Sequence, residues 1–248
     1  MAKNFIVLYG RNSIRERLKA DPASVKKVFL RDNLNVSQIE ELIKENNIPS
    51  ERVSSERLTS MRPAKVKDLQ GVLARVNRFK YAPFDELVRK SNKARKNIIF
   101  LDRISDPHNL GVIIRIAACF GDFAIVIPKF NSCEVNETVL HVASGGDNYC
   151  PICMVPNISN AIVRAKEQGY CIMGTLVGDE AADIDKIDIP SPVGLVLGSE
   201  GAGIKQGIKR HLDLKARIPM KGADLSFNVS IACAIFCHEI SKKRGERG

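Results

Sequence analysis

The chain has 248 residues, of which 44% are hydrophobic and 27% charged, and a formal net charge of +10. These values describe a globular protein with room for one large domain or two modest ones, and they exclude a disordered or low-complexity chain. No apolar run approaches the roughly 18 residues of a membrane span, and MAKNFIVLYG enters an apolar strand without a signal-peptide pattern, so a cytoplasmic protein without a membrane partner is expected.

The charge is unevenly divided. Residues 1–97 carry 22 Lys+Arg against 11 Asp+Glu, whereas residues 98–248 carry 16 against 17. Clustered Lys and Arg neutralise phosphates and release counterions, so the first part favours a polyanion partner, with a solubilising basic surface as the alternative. The seven cysteines are an odd number, which argues against a disulfide framework. Cys150 and Cys153 form a lone CxxC, and Cys233 and Cys237 sit in an apolar run where free cysteine behaves as a small hydrophobe. No metal site is expected.

In chain order, Phe5–Gly10 reads as a strand and Asn12–Asp21 as a helix with Ile14 and Leu18 on one face. Val25–Leu30 reads as a strand, Ser37–Asn47 as a helix capped by Ser37, and Gln70–Val76 as a further strand. These elements make a small α/β domain over 1–78. The basic stretch 79–96, with Pro83 and the run RKSNKARKN, reads as a linker around one short helix. From residue 97 to 248 strands at Ile98–Leu101, Ala124–Ile127, Cys171–Leu176, Val193–Leu197 and Ala216–Ile218 alternate with helices at Leu110–Phe120, Ile158–Glu167, Ile204–His211 and Asn228–Lys243. Continuous apolar strands between helices predict a parallel sheet covered on both faces, with ligands at the carboxyl ends of its strands.

Three segments place polar groups at strand–helix junctions: LDRISDPHNLGVIIRIA (101–117), LGSEGAGI (197–204) and IPMKGADLSFNVSIACAIF (218–236). Taken singly, Ser226 or Asn228 could be a helix cap, Arg115 a structural ion-pair partner, and Gly198, Gly201 and Gly203 mere turn residues. Together and in this order, DPHNLGVIIRIA, LVLGSEGAGI and IPMKGADLSFNVSIA resemble the three motifs of the SpoU/TrmH class of SPOUT RNA 2′-O-methyltransferases. The likeness covers about residues 98–240. The first domain, with YGRNSI and QGVLARV, resembles the L30e-like RNA-binding domain of the large-subunit rRNA members, although Leu69 stands where those members often have histidine.

The resemblance implies a SPOUT domain with a C-terminal trefoil knot, S-adenosylmethionine as cofactor, a homodimer, and rRNA as partner. The family's catalytic positions fall on Asn109, Arg115, Glu200, Ser226 and Asn228. Its cofactor contacts fall on Gly174, Thr175, Gly198, Ser199, Glu200, Gly201, Ile218, Met220, Phe227 and Asn228. Phe227 replaces the family's usual leucine. Asn109, Glu200, Ser226 and Asn228 are expected to hold Arg115 and the ribose by hydrogen bonds. The implied reaction is methylation of a guanosine ribose in 23S rRNA, with tRNA or an adenosine as other targets within the class. A nucleotide- or NAD-binding enzyme is a different reading, but GSEGAG has neither the GxGxxG order nor the Lys-Ser/Thr of a phosphate loop. A catalytically silent RNA-binding protein is a third, and the presence of Asn109, Arg115 and Glu200 weighs against it.

Overall fold

The computed structural model describes residues 5–62, 68–89, 95–178, 180–223 and 225–245. The chain divides into two compact units, Met1–Lys80 with Val135–Tyr149, and Tyr81–Glu134 with Cys150–Gly248.

The first unit runs β1 (Ile6–Tyr9), α1 (Arg11–Ala20), β2 (Val25–Arg31), α2 (Ser37–Glu45), β3 (Ser50–Val53), α3 (Ser55–Ser60) and β4 (Val72–Val76). Its sheet has the order β1-β4-β2-β3, antiparallel except between β2 and β3. Helices α1 and α2 pack together and bury Ile14, Leu18, Ile39 and Ile43. Tyr9, Phe29, Val53, Leu58, Leu69 and Leu73 form a second apolar cluster. Ser37 does not cap α2: it is the first helical residue, and the cap position falls on Val36, which offers no side-chain bond. The expected strand from Gln70 begins at Val72, because Gln70 and Gly71 take left-handed φ of 54° and 74° and form a turn. The helix Glu137–Ala143 (α6 in chain order) also belongs to this unit. Within it, His141 stacks on Tyr9 at 4.2 Å and Asp147 pairs with Arg17 at 2.5 Å.

The second unit begins inside the stretch read as a linker. Helix α4 (Phe84–Val88) buries Phe84, Leu87 and Val88 in this unit's core, while residues 90–94 of the basic run lie outside the described residues. The unit continues with β5 (Asn97–Leu101), α5 (Pro107–Phe120), β6 (Phe123–Pro128), β7 (Ile152–Val155), α7 (Ile158–Glu167), β8 (Cys171–Thr175), β9 (Ala182–Asp183), β10 (Val193–Leu197), α8 (Gln206–Lys209), β11 (Leu214–Arg217) and α9 (Val229–Gly245). All seven strands are parallel, in the order β7-β6-β5-β10-β8-β11-β9.

Strands β5, β6 and β10 are buried at every position, as expected of a parallel sheet with helices on both faces. Helices α4 and α7 share a core with Ile98, Phe100, Ala124 and Val126. The alternate residues Ile99, Leu101, Ile125 and Ile127 are equally buried, and α5 packs against α9. The buried side chain of Asn97 pins the register of β5 and β10, its Oδ1 accepting the Val193 N–H at 3.0 Å. Because β5 is followed outward by β6 and β7 while β10 lies on its other side, chain direction across the sheet reverses between β5 and β10. Ligand crevices form at such reversals.

Among the described residues no helix is long and apolar enough to cross a membrane. Cys150, Cys153, Cys233 and Cys237 are buried and unbridged. Burial pushes the Cys153 thiol up to about 12. Cys237 is likewise raised, first by its 3.8 Å contact with the Cys233 sulfur and then by burial. Both thiols are thereby kept from forming reactive thiolates.

Candidate active site

Helix α5 starts where the sequence calls for it. The Asp106 side chain accepts the His108 N–H at 2.9 Å, Pro107 occupies the first turn, and Gly121 closes the helix with φ 79°. That start leaves Asn109 in the first turn, 9% exposed, with its amide free to point out of the helix. The start of α9 is equally explicit. Oδ1 of Asn228 accepts the Ser230 N–H at 2.9 Å and the Ser230 hydroxyl at 2.6 Å.

Between these two helix starts lies the loop after β10. Ser199 and Gly203 bridge across it, the Gly203 N–H donating to the Ser199 carbonyl at 2.9 Å. Gly198 is the position that requires glycine: a Cβ there would stand 2.2 Å from the Gly203 carbonyl carbon and 2.4 Å from the Ile204 nitrogen. Glu200 rises from this tight loop. Its Oε1 accepts the Asn228 amide at 2.7 Å and the Asn109 amide at 3.2 Å, and Asn228 also donates to the Asn109 Oδ1 at 3.0 Å. Asn228 is therefore both a helix cap and a partner of Glu200.

The loop forms one wall of a cavity of about 520 Å³ at the carboxyl ends of β8, β10 and β11. Thr175, Gly198, Ser199, Glu200, Gly201, Ile218, Met220, Ser226 and Phe227 all line it, which gathers nine of the residues singled out in the sequence. Met220 and Phe227 are 43% and 44% exposed and form its lip. Thr175 is anchored by its hydroxyl, which donates to the Val196 carbonyl at 3.2 Å.

Gly174 is not at this wall. It lies within β8, where a Cβ would stand 2.3 Å from the Leu212 side chain, so its smallness is spent on packing. Asn109 and Asn228 stand behind Glu200 and do not line the cavity themselves. Arg115 is exposed on α5, is absent from the cavity lining, and makes no hydrogen bond or ion pair with the described residues. The hydrogen bonds expected between Arg115 and the Glu200 group do not form within one chain.

Several residues of this region were not singled out in the sequence. Asp183 and Arg217 line the far side of the cavity as an ion pair at 2.8 Å. Asp102, Arg103 and Ser230 support the loop and the α9 cap. An aspartate closing an apolar strand, as in FLD at 100–102, is the signal that could have drawn attention to Asp102.

Residues 96–238 match the SpoU rRNA methylase family, and residues 7–82 match the family described as RNA 2′-O ribose methyltransferase substrate binding. The chain belongs to the SpoU/TrmH family of RNA methyltransferases. A TrmH-family protein of Staphylococcus saprophyticus, named only as a tRNA/rRNA methyltransferase, is 32% identical over 98% of each chain. The 23S rRNA (guanosine-2′-O-)-methyltransferase RlmB of Coxiella burnetii is 30% identical over 96% of this chain and 95% of its own. Among solved structures, the SpoU methyltransferase AviRb of Streptomyces viridochromogenes in complex with AdoMet superposes with a TM-score of 0.81. It covers 98% of this chain and 92% of its own at 20% identity. The SpoU fold, a mixed α/β chain with a parallel seven-stranded sheet, is thus the one described above.

Proposed function

We propose that this SpoU/TrmH protein is an S-adenosylmethionine-dependent RNA ribose 2′-O-methyltransferase that modifies a guanosine of large-subunit rRNA. The observation that carries the reading is the bonding of Glu200 to Asn109 and Asn228, which joins three distant motifs at one wall of one cavity. The cavity suits the cofactor chemically. Its volume falls within the range of about 300–1,000 Å³ of small-molecule sites. Leu176, Ile218, Val229 and Phe236 supply apolar surface, and Glu200 and Asp183 supply carboxylates. A carboxylate fixed by two amides favours a cationic ligand and repels a phosphate.

When bound, S-adenosylmethionine supplies an electrophilic methyl group. The residues of the chain have the remaining tasks. Gly198 keeps the loop closed so that backbone can approach a ligand closely, and Glu200 holds negative charge at a set position on the wall. The loop residues 198–201, Thr175, Ile218, Met220 and Phe227 make up the cofactor surface, and Ser226 faces the same space. Arg115 anchors the phosphate next to the target ribose and stabilises the charge developing on the 2′-oxygen. Guanidinium stays protonated in proteins, so a simple general-base role is not assigned to it.

The expected homodimer belongs to this reading, since it would let Arg115 of one copy face the cavity of another, as does the trefoil knot. A 30% identity to the Coxiella RlmB, spread over 96% of this chain, supports a 23S rRNA guanosine as target. The basic excess before residue 97 supports RNA binding by the first unit. Two measurements test the reading. Titration calorimetry with S-adenosylmethionine is expected to show one site per chain, and its absence overturns the cofactor assignment. Mapping of 2′-O-methyl groups in cells lacking the gene is expected to show loss at one 23S guanosine. Loss at a tRNA position would instead transfer the substrate to tRNA.

A further inference from the structure

Glu200 is held by two amides, but the loop that carries it is held from beneath by Asp102 and Arg103, which open the first segment ahead of DPHNLGVIIRIA. Strands β5 and β10 run side by side to Leu101 and Leu197, and the Asp102 N–H extends the ladder by donating to the Leu197 carbonyl at 2.8 Å. There the chains part. The Asp102 carboxylate, its side chain only 4% exposed, accepts the Lys205 backbone N–H at 2.9 Å. The same carboxylate receives the Arg103 guanidinium in a two-pronged contact, Nε and Nη2 each at 3.3 Å. Arg103 Nη2 then donates to the Gly203 carbonyl at 3.0 Å.

Arg103 does this from a backbone φ of 61°, a conformation unfavourable for a side chain with a Cβ. Such a conformation persists where the surroundings impose it, and it turns the guanidinium back over the carboxylate. Gly203 is the residue against which Gly198 packs and with which Ser199 is bridged. Fixing Gly203 and Lys205 therefore fixes the closing limb of the loop and leaves residues 200–202 as its tip.

We propose that Asp102 and Arg103 are positioning residues for the Glu200 loop: together they clamp its closing limb and so set where Glu200 stands at the cavity wall. The consequence for cofactor binding rests on the methyltransferase reading above, whereas the clamp itself does not. Arg103→Gly removes the guanidinium and relieves the left-handed backbone, and because it leaves the buried Asp102 carboxylate unpaired its unfolding is measured alongside. Asp102→Asn keeps an oxygen for the Lys205 N–H but loses the ion pair, and serves as the conservative partner.

Hydrogen exchange tests the clamp without cofactor. The Gly203 and Lys205 amides are expected to exchange faster in Arg103→Gly, with the amides of β5, β6 and β10 unchanged. Unchanged exchange at 203 and 205, or equal acceleration across the sheet, overturns the proposal. Calorimetry on the full chain then reads its consequence. Cofactor affinity is expected to fall on the order of 10-fold in Arg103→Gly, because small displacements of positioned groups cost this much or more. Asp102→Asn should fall less. In a Glu200→Gln background the Arg103→Gly loss is expected to shrink, since both act through one loop. Unchanged affinity in the single variant, or a loss that is fully additive with Glu200→Gln, overturns the positioning role. Failure of the wild-type chain to bind S-adenosylmethionine, with the exchange result intact, would overturn the parent reading and leave the clamp standing.

Discussion

Two turns in this molecule are built from the same unfavourable backbone, and they end differently. In the first unit Gly10, Gln70 and Gly71 all have positive φ, and the turn closes on itself: Gln70 Oε1 accepts the Arg11 N–H at 2.9 Å, and Arg11 Nε donates to the Gln70 carbonyl at 3.2 Å. In the second unit Arg103, Gly201 and Gly203 have positive φ, and although Arg103 pairs with Asp102, the loop held there presents the Glu200 carboxylate to a cavity. Strained backbone marks both places. What separates a structural turn from a site is whether the polar groups spend their bonding capacity on each other or hold one charged group against open space.

The comparison is tested most severely at Gly198. A Cβ at this position meets backbone atoms of Gly203 and Ile204 at 2.2–2.5 Å, which no side-chain rotation can relieve. Gly198→Ala is expected to force the loop open and lower S-adenosylmethionine affinity by about 10² or more, since misplaced binding groups carry penalties of that order. Calorimetry checks it, and near-normal affinity would mean that the tight loop is not the binding wall. Arg115→Ala comes next. Cofactor affinity should remain close to normal while methyl transfer falls by about 10², measured as single-turnover transfer to deproteinised rRNA. Near-normal transfer would remove Arg115 from the reaction.

In the first unit the corresponding substitution should act on the fold alone. A Cβ on Gly10, at φ 89°, would lie 2.8 Å from Nδ1 of His141. That ring cannot easily give way, because it stacks on Tyr9 and contacts the Tyr9 carbonyl at 3.1 Å. Gly10→Ala is expected to destabilise this unit by about 1–3 kcal/mol, seen as faster hydrogen exchange in β1 and β4 with unchanged cofactor affinity. A loss of cofactor affinity would show that the two turns are not separate in function.

Much of this was legible in the sequence for identifiable reasons. Ile158–Glu167 and Val193–Leu197 have the bounds that their patterns predict, one because its apolar residues recur at helical spacing, the other because a doubly covered strand is apolar throughout. Strand β3 and helix α3 escaped because Ser50–Val53 and Ser55–Ser60 bury one residue each, too few to make a period. That residues 135–149 belong with residues 1–80 is a matter of long-range packing, which local pattern does not encode. At the site, Asn109, Glu200 and Asn228 could be read because each sits at a strand–helix junction, and the structure brings all three within hydrogen-bond reach. Asp102 escaped because an aspartate at a strand end reads as solvated, whereas here it is buried beneath the loop. At Gly174 a packing reason for glycine appears that the sequence did not offer: a Cβ there would meet the Leu212 side chain.

The smallest effect tests the comparison most sharply. Gln70 and Arg103 are both left-handed residues with side chains, at φ 54° and 61°, and both use those side chains to hold a nearby loop. Gln70→Gly removes a conformational penalty of roughly 1–2 kcal/mol. Against that gain, it adds flexibility to the unfolded chain worth about 0.4–1 kcal/mol and loses an exposed hydrogen bond worth about 0.5–1.5 kcal/mol. These contributions nearly cancel, so denaturant unfolding of Gln70→Gly should differ from wild type by no more than about 1 kcal/mol, with cofactor affinity unmoved. Arg103→Gly also relieves backbone strain, but it leaves the buried Asp102 carboxylate without its ion-pair partner and should therefore be the more destabilising of the two in unfolding. Its affinity for S-adenosylmethionine should also fall, because the bonds it loses set the position of a charged group at a cavity wall. If both variants leave cofactor affinity unmoved, the distinction between a self-satisfied turn and a loop held for chemistry fails at a pair of residues whose backbone is matched.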